Sequence, residues 1–313
     1  MGDGQRPVDL TTEVAGIPLR NPVWTASGCA NYGRELARLY PLSGLGAIAV
    51  KGTSLVPWDG NPGRRIAETP AGMLNAIGLQ NPGVEHLLST DLPWLREQGV
   101  TVIVNIVGRT VEEYAAVARR LQAAPDGFIG GIELNISCPN VREGGIEFGR
   151  DPEAAAAVTA AVRATGPLPL LVKLSPNVTD IVAFARAVVD AGADGLTLIN
   201  TLVGMEMDIA GQRPTLRNGT GGLSGPAIRP IALRMVWEVV GAVPVPVVGV
   251  GGIRTGEDAV RFLLAGASAI QVGTAIFDDP WAPLRVRDGI AAYLAAHGKS
   301  RVQDIIGLGR RPQ

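Results

Sequence analysis

Eight short runs of aliphatic and β-branched residues recur along the chain, each separated from the next by a longer stretch. They are PVWTAS (22–27), GAIAVK (46–51), VTVIVN (100–105), GIELN (131–135), LPLLVK (168–173), GLTLIN (195–200), VPVVGV (245–250) and SAIQVG (268–273). Between them lie segments of helical periodicity, among them 110–124, 151–166, 179–193 and 256–267, several closed by glycine. Strand and helix in regular alternation imply parallel strands buried on both faces. Eight such units predict an α/β fold, a single (β/α)8 TIM barrel spanning 1–313, with 8–19 (VDLTTEVAGIPL) as an N-terminal β-hairpin across the bottom. An open doubly wound sheet is the alternative. The stretches 52–82, 136–150 and 201–226 read as long Gly- and Pro-rich loops, all following strand C-terminal ends, the face where barrel enzymes keep their chemistry.

Composition narrows the function classes. With 28 basic against 29 acidic residues the net charge is −1, which gives no reason to expect nucleic acid as a partner. Two cysteines suggest a reducing compartment. The start MGDGQRPVDL has no apolar signal core, and no apolar run approaches the ~20 residues that span a bilayer. The expectation is a cytoplasmic protein with no membrane contact.

The strand ends carry the chemistry. Three apolar runs stop at asparagine, at Asn105, Asn135 and Asn200. One such ending is ordinary turn chemistry; three suggest a ring of amides suited to a heterocycle bearing C=O and N–H groups. The chain has only three lysines, and two of them, Lys51 and Lys173, end apolar strands and so face the same barrel mouth. The last two strands end in GVGGIRTG and QVGTAIF, which bring backbone N–H groups to the place where barrels commonly bind phosphate. Together these features point to a phosphorylated flat cofactor such as FMN. In GIELNISCPN, Ile132 and Leu134 alternate with Glu133 as a strand should, and Cys138 then follows beside Pro139 in polar company. A thiol there can serve as base or nucleophile. Cys29, in ASGCANYG, also follows a strand, and spacing alone does not separate the two.

ELNISCPNV (133–141), MLNAIGLQNPG (73–83), KLSPNVTD (173–180), INTLVGM (199–205), NGTGGLSGPA (218–227) and GVGGI (249–253) strongly resemble the cytosolic class of the dihydroorotate dehydrogenase family, collinearly over nearly the whole chain. The resemblance implies FMN-dependent oxidation of dihydroorotate to orotate in pyrimidine synthesis. Cys138 would take a proton from C5 while hydride leaves C6 for the flavin. Lys51, Asn75, Gly78, Leu79, Asn135, Asn140, Asn200 and Thr201 would hold the substrate. Ser27, Lys51, Gly52, Asn105, Asn135, Ile199 and Gly225 would contact the flavin, with Gly251, Gly252, Gly273 and Thr274 around its phosphate. Lys173 would stand at the N1 and O2 edge, where negative charge grows on reduction. No metal site is implied.

INTLVGM and GGLSGPA look more like the NAD-linked kind, a homodimer of catalytic chains within a heterotetramer whose other subunit carries FAD and an iron–sulfur cluster. Two cysteines cannot supply the four thiolates of a usual cluster, and the glycines here do not form a strand–GxGxxG–helix, so NAD would need that second chain. A partner-free enzyme using fumarate is the alternative. More distant readings are a Schiff-base aldolase using Lys173 and a barrel that binds a pyrimidine without turnover.

Overall fold

The computed structural model describes residues 8–125, 127–137 and 148–311. Its centre is a closed barrel of β1 (Val23–Thr25), β2 (Ala47–Thr53), β3 (Thr101–Ile106), β4 (Gly131–Asn135), β5 (Leu170–Lys173), β6 (Gly195–Leu198), β7 (Val247–Val250) and β8 (Ala269–Val272). Neighbours in sequence are neighbours in the barrel, β8 closes onto β1, and every pairing is parallel. The (β/α)8 expectation is met, and the open sheet is excluded.

The main outer helices are α1 (Arg34–Ala37), α2 (Leu92–Glu97), α3 (Val111–Gln122), α4 (Pro152–Arg163), α5 (Ile181–Asp190), α6 (Arg229–Val240), α7 (Gly256–Leu264) and α8 (Ala282–Ala296). Four begin at side-chain caps: Thr110, Asp151, Asp180 and Thr255 accept from backbone N–H groups one turn on, satisfying donors the helix leaves open. Thr255 and Asp258 form a reciprocal capping box.

Several strands are shorter than the apolar runs that announced them. The runs at 168 and 245 start late, at Leu170 and Val247, because Pro169 and Pro246 have no N–H to offer the ladder. The run at 195 stops at Leu198, leaving Ile199 and Asn200 in the connection above.

Two apolar cores explain why the strands read as continuous runs. Outward residues such as Val23, Ile48, Val104 and Leu134 pack under the helices. Inward residues Trp24, Ala47, Ala49, Ile103, Leu171, Val248 and Ala269 form a separate core inside the barrel. Its floor is the hairpin Thr12–Val14 with Ile17–Leu19, which contributes Val14, Ile17 and Leu19. Its two-residue turn, Ala15 and Gly16, has φ of 53° and 79°, the left-handed geometry that matches strand twist. Each fully buried Val, Leu or Ile side chain of this core contributes about 1.5–3 kcal/mol.

The segments expected as plain loops hold a second sheet. Ile66–Thr69, Gly72–Asn75, Thr220–Ser224 and Leu202–Met205 pair antiparallel above the mouth. Leu74, Ala67, Ala76 and Leu216 give it a small core of its own. These strands have four or five residues, three of the four contain glycine, and partners lie up to about 150 positions away, so local sequence carries little sign of them. Among the described residues, no helix is long and apolar enough to cross a membrane.

Candidate functional site

A cavity of about 300 Å³ opens between the barrel mouth and the second sheet. Every candidate residue within the described part of the chain lines it, from Ser27 after β1 to Gly273 and Thr274 after β8. Cys138 and Asn140 lie outside the described residues.

The three asparagines do not stand at one level. Asn105 pairs in register with Glu133, two residues below Asn135 on β4, while Asn135 pairs with Lys173. Asn200 sits two residues past β6. Asn135 Oδ1 accepts from Ser137 N (3.1 Å) and Asn200 Nδ2 (3.2 Å), which leaves its own amide N–H groups for the cavity. Asn75 has the opposite polarity: its Nδ2 donates to Gly222 O (3.2 Å), so its oxygen is presented. Two further asparagines, not singled out from sequence, shape the walls. Asn81 Oδ1 accepts from Ser54 N and Gly83 N, and its Nδ2 donates to Leu79 O, holding the turn in which Gly78 and Leu79 take φ of 74° and 54°. Asn177 bonds Thr201 O and Val203 N, fixing the start of the second long connection.

Lys173 is buried, and its Nζ lies 3.3 Å from Gln271 Oε1 and 3.5 Å from Glu133 Oε2. Glu133 and Gln271 are wholly buried one layer below the cavity, and sequence reasoning passed over both. The signal was present: on a strand covered on both faces, an acidic residue has no solvent side to occupy. Lys51, on β2, is half-buried in the cavity wall, and burial pushes its ammonium below the usual lysine range. Cys29 also lines the cavity. Burial drives its thiol up to about 11, against the smaller pull of the Lys173 and Lys51 charges, so it is protonated at neutral pH.

At the far end Gly225, Gly251, Gly252, Gly273 and Thr274 come together. Thr274 Oγ1 donates to Ser224 Oγ (2.7 Å), joining the second sheet to the end of β8. Gly252 has φ of 72°, and a Cβ there would stand 2.8 Å from Gly225 O. The glycines therefore bring two backbone turns to a separation that no side chain allows. Such a cradle fits a phosphate held by N–H groups. Deeper in, Asn105 Oδ1 is buried without a hydrogen-bond partner among the described residues, an acceptor that a ring N–H would satisfy.

A cavity at the C-terminal face, two lysines at its strands and a glycine cradle at β7 and β8 make a barrel mouth of the kind that fits a phosphorylated ligand. The chain belongs to the dihydroorotate dehydrogenase family, whose profile matches residues 9–294. It is similar to the proteins named dihydroorotate dehydrogenase B (NAD(+)), catalytic subunit, of Geotalea uraniireducens, with 56% identity over 96% of this chain and 97% of the relative. The proteins of that name from Geobacter sulfurreducens (55%; 97% and 98% covered) and Geobacillus kaustophilus (54%; 95% and 95%) are comparably similar.

Proposed function

We propose that this chain, as a single barrel domain in the cytoplasm, oxidises dihydroorotate to orotate with FMN in the cavity described. It works as a homodimer within a heterotetramer, passing electrons to a subunit that carries FAD and an iron–sulfur cluster and reduces NAD. The observation that carries this reading is the single cavity lined by all the described residues that the family resemblance nominates, in a chain whose full-length relatives bear that name.

FMN, when bound, supplies a two-electron acceptor for the C6 hydride. The protein supplies the rest. Asn75 presents an acceptor and Asn135 a donor, complementary to N–H and C=O groups of a pyrimidine. Lys51 is the cation for the substrate carboxylate; burial penalises its charge in the free protein, and an arriving anion restores it. Cys138 takes the C5 proton. Lys173 places positive charge where the cofactor's pyrimidine edge gains negative charge. The glycine cradle and Thr274 hold the phosphate. A Schiff-base role for Lys173 fits less well, because its amine is engaged by Glu133 and Gln271.

The test is the acceptor profile of the purified chain. It should pass electrons from dihydroorotate to an artificial dye but not to NAD, and gain NAD reduction when a subunit with FAD and an iron–sulfur cluster is added. Efficient fumarate reduction without gain from such a subunit would overturn the NAD linkage and leave the dehydrogenase reading intact.

A further inference from the structure

Glu133 occupies the centre of a closed hydrogen-bond network under the cavity. Its Oε1 accepts from Gln271 Nε2 (2.7 Å), and its Oε2 accepts from Asn105 Nδ2 (2.7 Å) and faces Lys173 Nζ at 3.5 Å. Lys173 also donates to Gln271 Oε1 (3.3 Å). Four strands, β3, β4, β5 and β8, contribute one side chain each. Lys173 and Asn105 reach the cavity; Glu133 and Gln271 do not.

The chemistry of the partners dictates which way each amide turns. An ammonium only donates and a carboxylate only accepts. Gln271 must therefore show its oxygen to Lys173 and its nitrogen to Glu133. Asn105 must likewise give its nitrogen to Glu133, which leaves Oδ1 without a partner among the described residues. A buried anion beside a buried lysine also cancels part of the charge the lysine projects into the cavity.

We propose that Glu133 is a positioning residue that sets the electron affinity of the cofactor, holding Lys173 at the cavity floor, offsetting part of its charge, and fixing Asn105 as an acceptor facing the cofactor. The inference rests on the FMN reading above. Glu133→Gln keeps the shape but removes the charge, and its new amide N–H cannot share a face with the Asn105 or Gln271 nitrogen unless one of them rotates. With the Lys173 charge less offset, the reduced, anionic cofactor gains over the oxidised form. Glu133→Asp keeps the charge but shortens the reach of both 2.7 Å bonds.

The experiment is spectroelectrochemical titration of the flavin-loaded wild type, Glu133→Gln, Glu133→Asp and Lys173→Gln. Glu133→Gln should favour reduced over oxidised flavin by about tenfold, a midpoint rise of about 30 mV for a two-electron couple. Glu133→Asp should stay within about threefold of wild type, and Lys173→Gln should shift the midpoint downward. A purely structural Glu133 reverses the order, with Asp the more damaging change. That order, or a Glu133→Gln midpoint unchanged or lowered, overturns the inference while flavin remains bound. If Glu133→Gln does not fold, an unchanged or raised midpoint in Lys173→Gln overturns it independently. A wild-type chain that binds no flavin sinks the FMN reading, and this inference with it.

Discussion

Replacing Gly252 by alanine tests the glycine cradle with numbers the geometry supplies. Gly252 has φ of 72°, and the new Cβ would meet Arg229 Cβ at 2.7 Å and Gly225 O at 2.8 Å. The left-handed backbone costs an alanine about 1–2 kcal/mol, of which about 0.4–1 is offset because alanine also restricts the unfolded chain. The contact with Gly225 O is with backbone, which cannot rotate away, and overpacking of this kind adds about 1–3 kcal/mol. The net is a loss of about 1–5 kcal/mol. It should divide between the stability of the apo chain and FMN affinity, since separating the two turns relieves the clash and opens the cradle. Urea denaturation of apo protein and equilibrium titration with FMN read the two parts. Gly99→Ala is the control: it shares the left-handed backbone (φ 64°), a Cβ there meets nothing within 4 Å, and it does not line the cavity, so it should lose only the backbone contribution and leave FMN affinity unchanged. If Gly252→Ala matches wild type in both assays to within about 0.5 kcal/mol, about the limit for a benign surface change, the close approach is not what the glycine is for.

Cys138→Ala should slow dihydroorotate oxidation by about 10²- to 10⁴-fold with flavin retained, whereas Cys29→Ala should be nearly neutral; equal losses would count against the assignment of the base. In the Cys138→Ala background, alkylation of Cys29 should be slow at pH 8, where a thiol at about 11 is ionised only to about one part in a thousand, and should accelerate through pH 9 to 11. A plateau reached by pH 9 would contradict the raised value. The same shift makes folding stability fall between the ordinary thiol value and about 11, because the folded state there binds the proton more tightly than the unfolded one. Ile103→Ala, inside the lower barrel, should cost about 2–5 kcal/mol in chemical denaturation without changing the flavin spectrum; a cost below about 1 kcal/mol would mean the interior collapses around the cavity.

The barrel was legible because parallel strands covered on both sides must be apolar throughout, and eight such runs leave few other arrangements. Its floor was legible too, since Ala15 and Gly16 carry the turn between two apolar stubs. The same logic, carried further, would have exposed Glu133. Taken as the polar half of an alternating strand, it assumes a solvent face that a barrel strand does not have; the structure turns it inward against Lys173 and Gln271. The sheet above the mouth was hidden for another reason. Gly72–Asn75 pairs with Thr220–Ser224 across about 150 positions of chain, so nothing in either segment announces its partner. The difference in height between Asn105 and Asn135 follows from register between strands, which no single strand encodes.

The most direct test of the account is anaerobic titration of the purified chain with dihydroorotate, following the flavin absorption and the orotate formed. The account predicts a yellow protein whose oxidised flavin band is lost on addition of dihydroorotate, with one orotate produced per flavin reduced. In Cys138→Ala the band should persist on the same timescale. A colourless chain, or a flavin that dihydroorotate leaves oxidised in the wild type, would contradict it.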